Sequence, residues 1–257
     1  MYVCSIEFST AAAEMIEQYG HRALVIIPTY NEKENVEEII RAVFSLPGGD
    51  FHVLIVDDNS PDGTADIVER LQNGFQNKLF LLRRPAKEGL GPAYVAGFQW
   101  ALEKDYEYII EMDADFSHDP RDLPRLLNAC LHGDAGVSVG SRYVKGINVV
   151  NWDLKRILLS YFASKYVRLI TGIPVKDTTA GFVCYRRKVL EKIGINDLQF
   201  KGYAFQIEMK FKAWKHGFSI VEVPVIFTDR TKGKSKMNGS IIGEAVLGVI
   251  KMKIKGI

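Results

Sequence analysis

From residue 23 onward the chain alternates short, unbroken apolar runs with segments whose apolar residues recur at helical spacing. That alternation restricts the fold more than any other feature. Residues 23–28 (ALVIIP), 51–56 and 78–82 are strand-like runs, and 108–112, 135–139 and 220–225 continue the series. Between them, residues 34–44 place Val36, Ile39, Ile40 and Val43 on one helical face, and residues 64–71 and 91–103 read as further helices. Strands that are apolar on both sides need cover on both sides. The pattern therefore predicts an α/β fold with a mostly parallel sheet between two layers of helices.

Length and charge set outer bounds. A chain of 257 residues, 47% hydrophobic and 25% charged, can bury one large core or a core with an appendage. Lys and Arg total 33 against 31 for Asp and Glu, a balance that does not point to nucleic acid. The basic residues are unevenly spread: residues 231–257 carry six lysines and one acid, Glu244. Cys4, Cys130 and Cys184 lack the spacing of a zinc site or a disulfide framework, so they read as reduced thiols of a cytosolic protein. Residues 1–22 read as a polar lead-in helix, unlike a signal peptide, and no apolar run reaches membrane-spanning length.

In open α/β sheets, ligands bind beyond the carboxyl ends of the strands, so chemistry is sought in the loops that follow them. These read PTYNEKEN, VDDNSPDG, RRPAKEGLG and DADFSHDP. The last is the strongest candidate. Asp113 and Asp115 lie one residue apart at the end of an apolar run, where two like charges repel unless a positive group sits between them. Two such carboxylates suit a hard cation, Mg²⁺ or Mn²⁺, able to bridge diphosphate oxygens. His118 is a candidate extra ligand or diphosphate contact, and Asp119 before Pro120 reads as a helix cap.

Asp57 and Asp58 end the second strand, where carboxylates can accept from ribose hydroxyls or a base N–H; the turn formers of residues 59–63 explain the rest of that loop. The glycines of EGLGPAYVAG lack a phosphate-loop register and read as a loop entering a helix. Arg142, Arg156 and the basic segment DRTKGKSK, with Arg230, Lys232, Lys234 and Lys236, would supply positive charge for a phosphate ligand, the last from a loop suited to closing. Two stretches are amphipathic. Residues 152–170 carry Leu154, Leu158, Phe162, Tyr166 and Leu169 at helical spacing, which core packing would explain. Residues 241–257, with alternating lysines, instead suit the surface of an anionic membrane.

Taken in order, VIIPTYNEKENV, VDDNSPDGTADIV, MDADFSHDP, VGSRY, DTTAGFVCY, KGYAFQIEM and VEVPVIFTDRTKGKSKM resemble the family 2 glycosyltransferases of GT-A fold. Within that family they resemble the polyprenol (dolichol) phosphate mannose synthases. The similarity covers roughly residues 23–238, leaving 1–22 as lead-in and 239–257 as a basic tail. PTYNE and DAD alone fit many glycosyltransferases; SHDP, GYAFQIE and FTDRxxGxSK are narrower. The resemblance implies GDP-mannose as donor and a polyprenyl phosphate as acceptor. It further implies that Pro28, Tyr30, Glu32 and Asp57 line the base pocket, that Asp113 and Asp115 hold the metal, and that Arg230 and Lys236 contact the donor diphosphate. Arg142 and Arg156 would face the acceptor phosphate. Ser117 would be a third metal ligand, a shorter one than the Gln that some relatives have there, whose side-chain amide can reach a metal. Other relatives carry C-terminal transmembrane helices or rely on membrane partner subunits. A peripheral location on the cytoplasmic face of a membrane, with or without an anchoring partner subunit, follows as an expectation.

A phosphate monoester has a second pKa of about 6, so such an acceptor is mostly dianionic at neutral pH and needs no general base. The implied chemistry is in-line displacement with inversion and no covalent enzyme intermediate. The rivals are a polyprenyl phosphate glucosyltransferase using UDP-glucose, a sugar nucleotidyltransferase, and a non-catalytic binding module of a membrane complex. The nucleotidyltransferase would call for a glycine-rich basic loop after the first strand, where this chain has PTYNE.

Overall fold

The computed structural model describes residues 23–47, 51–133, 135–230 and 240–255. The lead-in over residues 1–22 and the loop bearing Lys232, Lys234 and Lys236 lie outside the described residues.

The apolar runs form β1 (Ala23–Thr29), β2 (His52–Asp57), β3 (Leu79–Arg83), β4 (Tyr108–Glu111), β5 (Val137–Ser141) and β8 (Ile220–Pro224). The helices between them are α1 (Val36–Phe44), α2 (Thr64–Gln72), α3 (Leu90–Leu102) and α4 (Leu123–His132). They are followed by α5 (Leu154–Thr171), α6 (Arg187–Ile193), α7 (Tyr203–Lys215) and α8 (Ser240–Lys255). A seven-stranded sheet runs β3-β2-β1-β4-β7-β5-β8. It is parallel except for β7 (Val183–Arg186), which inserts antiparallel between β4 and β5 with Ile110 opposite Cys184. No apolar periodicity announced β7. The short β6 (Val149–Val150) and β9 (Phe227–Thr228) pair in parallel as a separate ribbon.

Side chains alternate across β1. Val25 and Ile27 pack with α1, α2 and α4, whereas Leu24 and Ile26 pack with α3, α6 and α7. Both faces are thus covered, as the unbroken apolar runs require. Gly97 permits the close approach of α3: a Cβ there would lie 2.7 Å from Ile26 Cγ2. Cys130 and Cys184 are buried free thiols.

A third cluster joins α5, α7 and α8 through Val167, Ile207, Phe211, Val249 and Met252. Here the core-packing reading of residues 152–170 is corrected. Ser164, Val167 and Thr171 face inward on α5, while Leu154, Leu158, Phe162 and Leu169 are exposed. Of the stripe that apolar spacing identified, Tyr166 packs partly against this cluster, while the other four residues turn away from it and the opposite face of the helix is buried.

Candidate active site

The order β2-β1-β4 places the switch in strand direction of the chain path between β1 and β4, so their carboxyl ends and that of β2 open into one crevice. Asp113 and Asp115 stand on its floor just past β4. Their loop is tightly determined: Ser117 N–H donates to Asp115 Oδ1 at 3.0 Å, and Phe116 between them adopts φ 62°. A bulky residue in the left-handed region is strained backbone, held by its surroundings.

His118 supplies part of that hold. Its Nδ1 accepts from the Asp113 N–H at 3.1 Å, and its ring stacks on Phe182 at 4.8 Å and meets Phe227 edge-on. Burial brings its pKa down to about 4, so the neutral ring carries its proton on Nε2. The Nδ1 atom is therefore engaged in fixing the loop. Asp119 caps the Pro120–Asp122 turn, accepting from Arg121 N–H at 2.9 Å, which is the capping role read from its position before proline.

The two acids differ electrostatically. Burial first, and the Asp115 charge second, push the Asp113 carboxyl up to about 7, with Glu32 adding a smaller repulsion. The Asp113 side chain is nonetheless 36% exposed, walled by protein but open to the crevice. For Asp115 burial also acts upward, but hydrogen bonding from Ser117 and the Arg230 guanidinium outweigh it and hold the carboxyl below its ordinary value. Arg230 Nη2 lies 2.7 Å from Asp115 Oδ2.

A hard divalent cation fits this donor set. The chain offers two carboxylates, one with its negative charge strongly disfavoured, and the buried Ser117 hydroxyl lies beside them. Among the described residues no group of three or more His, Cys, Asp and Glu side chains converges. A cation at Asp113 and Asp115 would thus draw its other ligands from water and bound phosphate, as Mg²⁺ and Mn²⁺ do.

The β6/β9 ribbon explains how residues far apart in sequence reach this floor. Thr228 N–H donates to Ser117 O and Asp229 N–H to Val150 O, so the segment after β9 returns beneath the acidic pair. Asp229 then binds Arg156 at 2.7 Å, while Arg156 lies 4.1 Å from the centroid of Trp152. Arg142 approaches the same indole at 5.4 Å. The two arginines that sequence reading treated alike differ in their surroundings. Arg142 is buried and bidentate with Asp177, through Nε at 2.7 Å and Nη2 at 2.6 Å, whereas Arg156 is 30% exposed.

The residues expected to line a base pocket lie at the ends of β1 and β2. Asp57 is buried and accepts from Thr29 Oγ1, Ser60 N–H and Ser60 Oγ, so turn chemistry extends one step further than residues 59–63. Asp58 pairs with Arg84 at 2.5 Å. Glu32 is buried and accepts from Asn35 Nδ2 at 2.9 Å, Pro28 is half-buried, and Tyr30 lies beneath Lys87 Nζ at 4.3 Å. Lys236 lies outside the described residues.

Sequence reading missed a buried polar chain behind the acidic pair. Gln206 Nε2 donates to Glu111 Oε2 at 2.9 Å, and Lys210 Nζ donates to Gln206 Oε1, Gln206 O and Ala180 O. Asp177 and Asp229 were likewise unassigned, although both sit in quoted motifs, DTTAGF and FTDR. Glu111 ends an apolar strand and Lys210 lies in a helix rich in apolar residues; an ionisable group in each was the available signal.

The glycosyl transferase family 2 model matches residues 24–194, from the first strand through α6. The chain belongs to this family. It is 47% identical over 236 residues to the polyprenol monophosphomannose synthase of Mycolicibacterium smegmatis, covering 91% of this chain and 88% of that one. It is 44% identical over 231 residues to the undecaprenyl-phosphate mannosyltransferase of Micrococcus luteus, covering 90% and 93%. Among solved structures, a mannosyltransferase from Pyrobaculum calidifontis in complex with GDP-Man and Mn²⁺ superposes with a TM-score of 0.58. That match has 18% identity over 88% of this chain and 66% of the other, and it speaks to the fold. This family 2 glycosyltransferase thus has the GT-A type of sheet that its sequence led one to expect.

Proposed function

We propose that this glycosyltransferase moves mannose from GDP-mannose to a polyprenyl phosphate, using Mg²⁺ or Mn²⁺ and inverting the sugar carbon. The observation that supports the reading is the line Asp115–Arg230–Asp229–Arg156, two ion pairs joined by the Arg230 N–H to the Asp229 carboxylate, which would put a diphosphate-binding end beside a phosphate-binding end. The names of the mycobacterial and Micrococcus relatives support the acceptor class, and the GDP-Man and Mn²⁺ complex of the Pyrobaculum protein supports donor and metal.

Asp113 and Asp115 would hold the cation, which supplies Lewis-acid stabilisation of the leaving diphosphate. Arg230, and Lys236 beyond the described residues, would bind that diphosphate from the other side. Pro28, Tyr30, Glu32 and Asp57 would orient the nucleoside at the ends of β1 and β2. Arg156 would bind the acceptor phosphate, and Arg142, fixed by Asp177, would brace the shared Trp152 and add positive potential. Two anions must meet here, so the residues act chiefly by orienting them and offsetting their repulsion. The dianionic acceptor attacks without a protein base.

We also place the enzyme at the cytoplasmic face of a membrane, with the basic tail over residues 239–257 as a surface contact, alone or with an anchoring partner subunit. No described helix is long and apolar enough to cross a bilayer. The deciding experiment compares radiolabelled GDP-mannose with UDP-glucose, each with and without polyprenyl phosphate and Mn²⁺. Lipid-linked label from GDP-mannose alone supports the reading. Label from UDP-glucose alone moves the enzyme to the glucosyl class, and no lipid label from either donor overturns it.

A further inference from the structure

Among the described residues, nothing packs on the outward face of α5. Leu154 (70% exposed), Leu158 (45%), Phe162 (57%) and Leu169 (84%) project from one side of the helix. At 100° per residue they fall within an arc of roughly 80°, opposite the inward Ser164, Val167 and Thr171. Lys165 lies inside the same arc, its Nζ 4.7 Å from the Tyr161 ring centroid, and exposed Lys155 and Arg168 flank it. No acidic residue occurs from Leu154 to Thr171.

We infer that this face of α5 docks on an anionic lipid bilayer. Large apolar side chains interleaved with lysines, on a helix too polar to span a membrane, suit the boundary between headgroups and acyl chains. The absence of acids makes the face complementary to a negatively charged leaflet. Its position adds a second argument. The first turn of α5 carries Arg156, whose guanidinium is bound to Asp229 beside Arg230, so docking would bring the bilayer surface to the phosphate-binding end of the charge line. This step rests on the reading of the acceptor as a lipid phosphate. Helix α8 packs on α5, where Tyr166 Oη donates to Val246 O at 3.2 Å, and adds exposed Leu247 and Ile254 nearby.

The test uses the full chain and co-sedimentation with phosphatidylcholine vesicles, with and without phosphatidylglycerol. The double variant Leu158→Ser/Phe162→Ser should lose at least about tenfold in partitioning, because both side chains lose contact with the acyl boundary. Lys165→Glu/Arg168→Glu should lose the preference for phosphatidylglycerol. Both should keep the wild-type melting temperature, since every altered residue is exposed. Transfer to vesicle-embedded polyprenyl phosphate should fall in parallel, while transfer to a short, water-soluble prenyl phosphate stays at the wild-type rate. Wild-type vesicle binding by both variants would overturn docking, as would unchanged binding with loss of a dimer in sedimentation velocity, which would assign the face to a second copy. If the wild type transfers mannose to neither acceptor, the proposed function fails, while vesicle partitioning still decides docking.

Discussion

Arg230 reaches Asp115 directly, Nη2 to Oδ2 at 2.7 Å, so a cation of the protein already neutralises one of the two strand-end carboxylates. Among the described residues no arginine or lysine makes such a contact with Asp113, and its carboxyl is the one pushed up to about 7. The floor of the crevice is therefore asymmetric. One acid is held ionised by a guanidinium, and the other stays poorly ionised until a further positive charge arrives.

Replacing Arg230 separates the two functions of that contact. Arg230→Ala should lower kcat/KM by about 100-fold, the scale of removing one charged group aimed at a leaving oxyanion. Mn²⁺ affinity, followed by electron paramagnetic resonance, should hold or rise, because Asp115 is freed. Asp115→Asn should instead weaken Mn²⁺ binding and abolish transfer together, with a near-native melting curve. Chelation with EDTA should silence the wild type and be reversed by added Mn²⁺. Weaker Mn²⁺ binding in Arg230→Ala would show that the guanidinium supports the cation site instead of sharing its ligand.

His118 makes a pH prediction with a definite sign. Its folded pKa of about 4 lies below the ordinary 6.5, so between those values the unfolded chain binds the extra proton. Stability contributed by the neutral ring is complete above pH 6.5 and is lost as pH falls toward 4, by about 3 kcal/mol in all. Asp113 acts in the opposite sense over part of this range, so the measurement is a difference. Urea unfolding of wild type minus His118→Asn at several pH values should shrink as the pH falls from 7 to 4. A flat difference would place the proton elsewhere.

The arginines that flank Trp152 should separate by assay. Asp177→Asn leaves the buried Arg142 charge without its carboxylate and should cost about 3–5 kcal/mol in chemical denaturation. Arg156→Ala breaks a half-exposed pair and should cost less than about 1 kcal/mol. Its effect should be on KM for the lipid phosphate. An Arg156 variant with unchanged acceptor KM would remove it from the phosphate site.

The parts of this molecule that could be read from sequence are those where local pattern and tertiary role coincide. The β1, β2 and β4 runs are apolar because both their faces are buried, and the Asp113/Asp115 pair is conspicuous because like charges at i and i+2 need a reason. Other features depend on pairings that sequence does not display. β7 becomes a strand because β4 and β5 leave a slot between them. Arg142 finds Asp177 across 35 positions, and Asp57 is drawn into turn chemistry by Ser60 and Thr29. In α5, periodicity showed that Leu154, Leu158 and Phe162 share a face; which medium that face meets depends on where α7 and α8 lie.

The buried chain behind the acidic pair gives a final prediction. Glu111 is wholly buried and burial pushes its carboxyl up to about 8, an effect that the Lys210 charge opposes. Lys210 is equally buried, and its ammonium is satisfied by Ala180 O and both oxygens of Gln206. Lys210→Met removes the donor to Ala180 O and Gln206 and should cost about 1–3 kcal/mol, since buried acceptors are left unpaired. Glu111→Gln alone should be destabilising, because it removes the negative group that favours the buried Lys210 ammonium. The double variant should be more stable than the sum of the two changes requires, because it removes both titratable groups of one network at once and keeps an amide for Gln206. A double-mutant cycle by urea denaturation measures that coupling. Strict additivity would show that Glu111 and Lys210 are satisfied independently, and that Gln206 alone links β4 to α7.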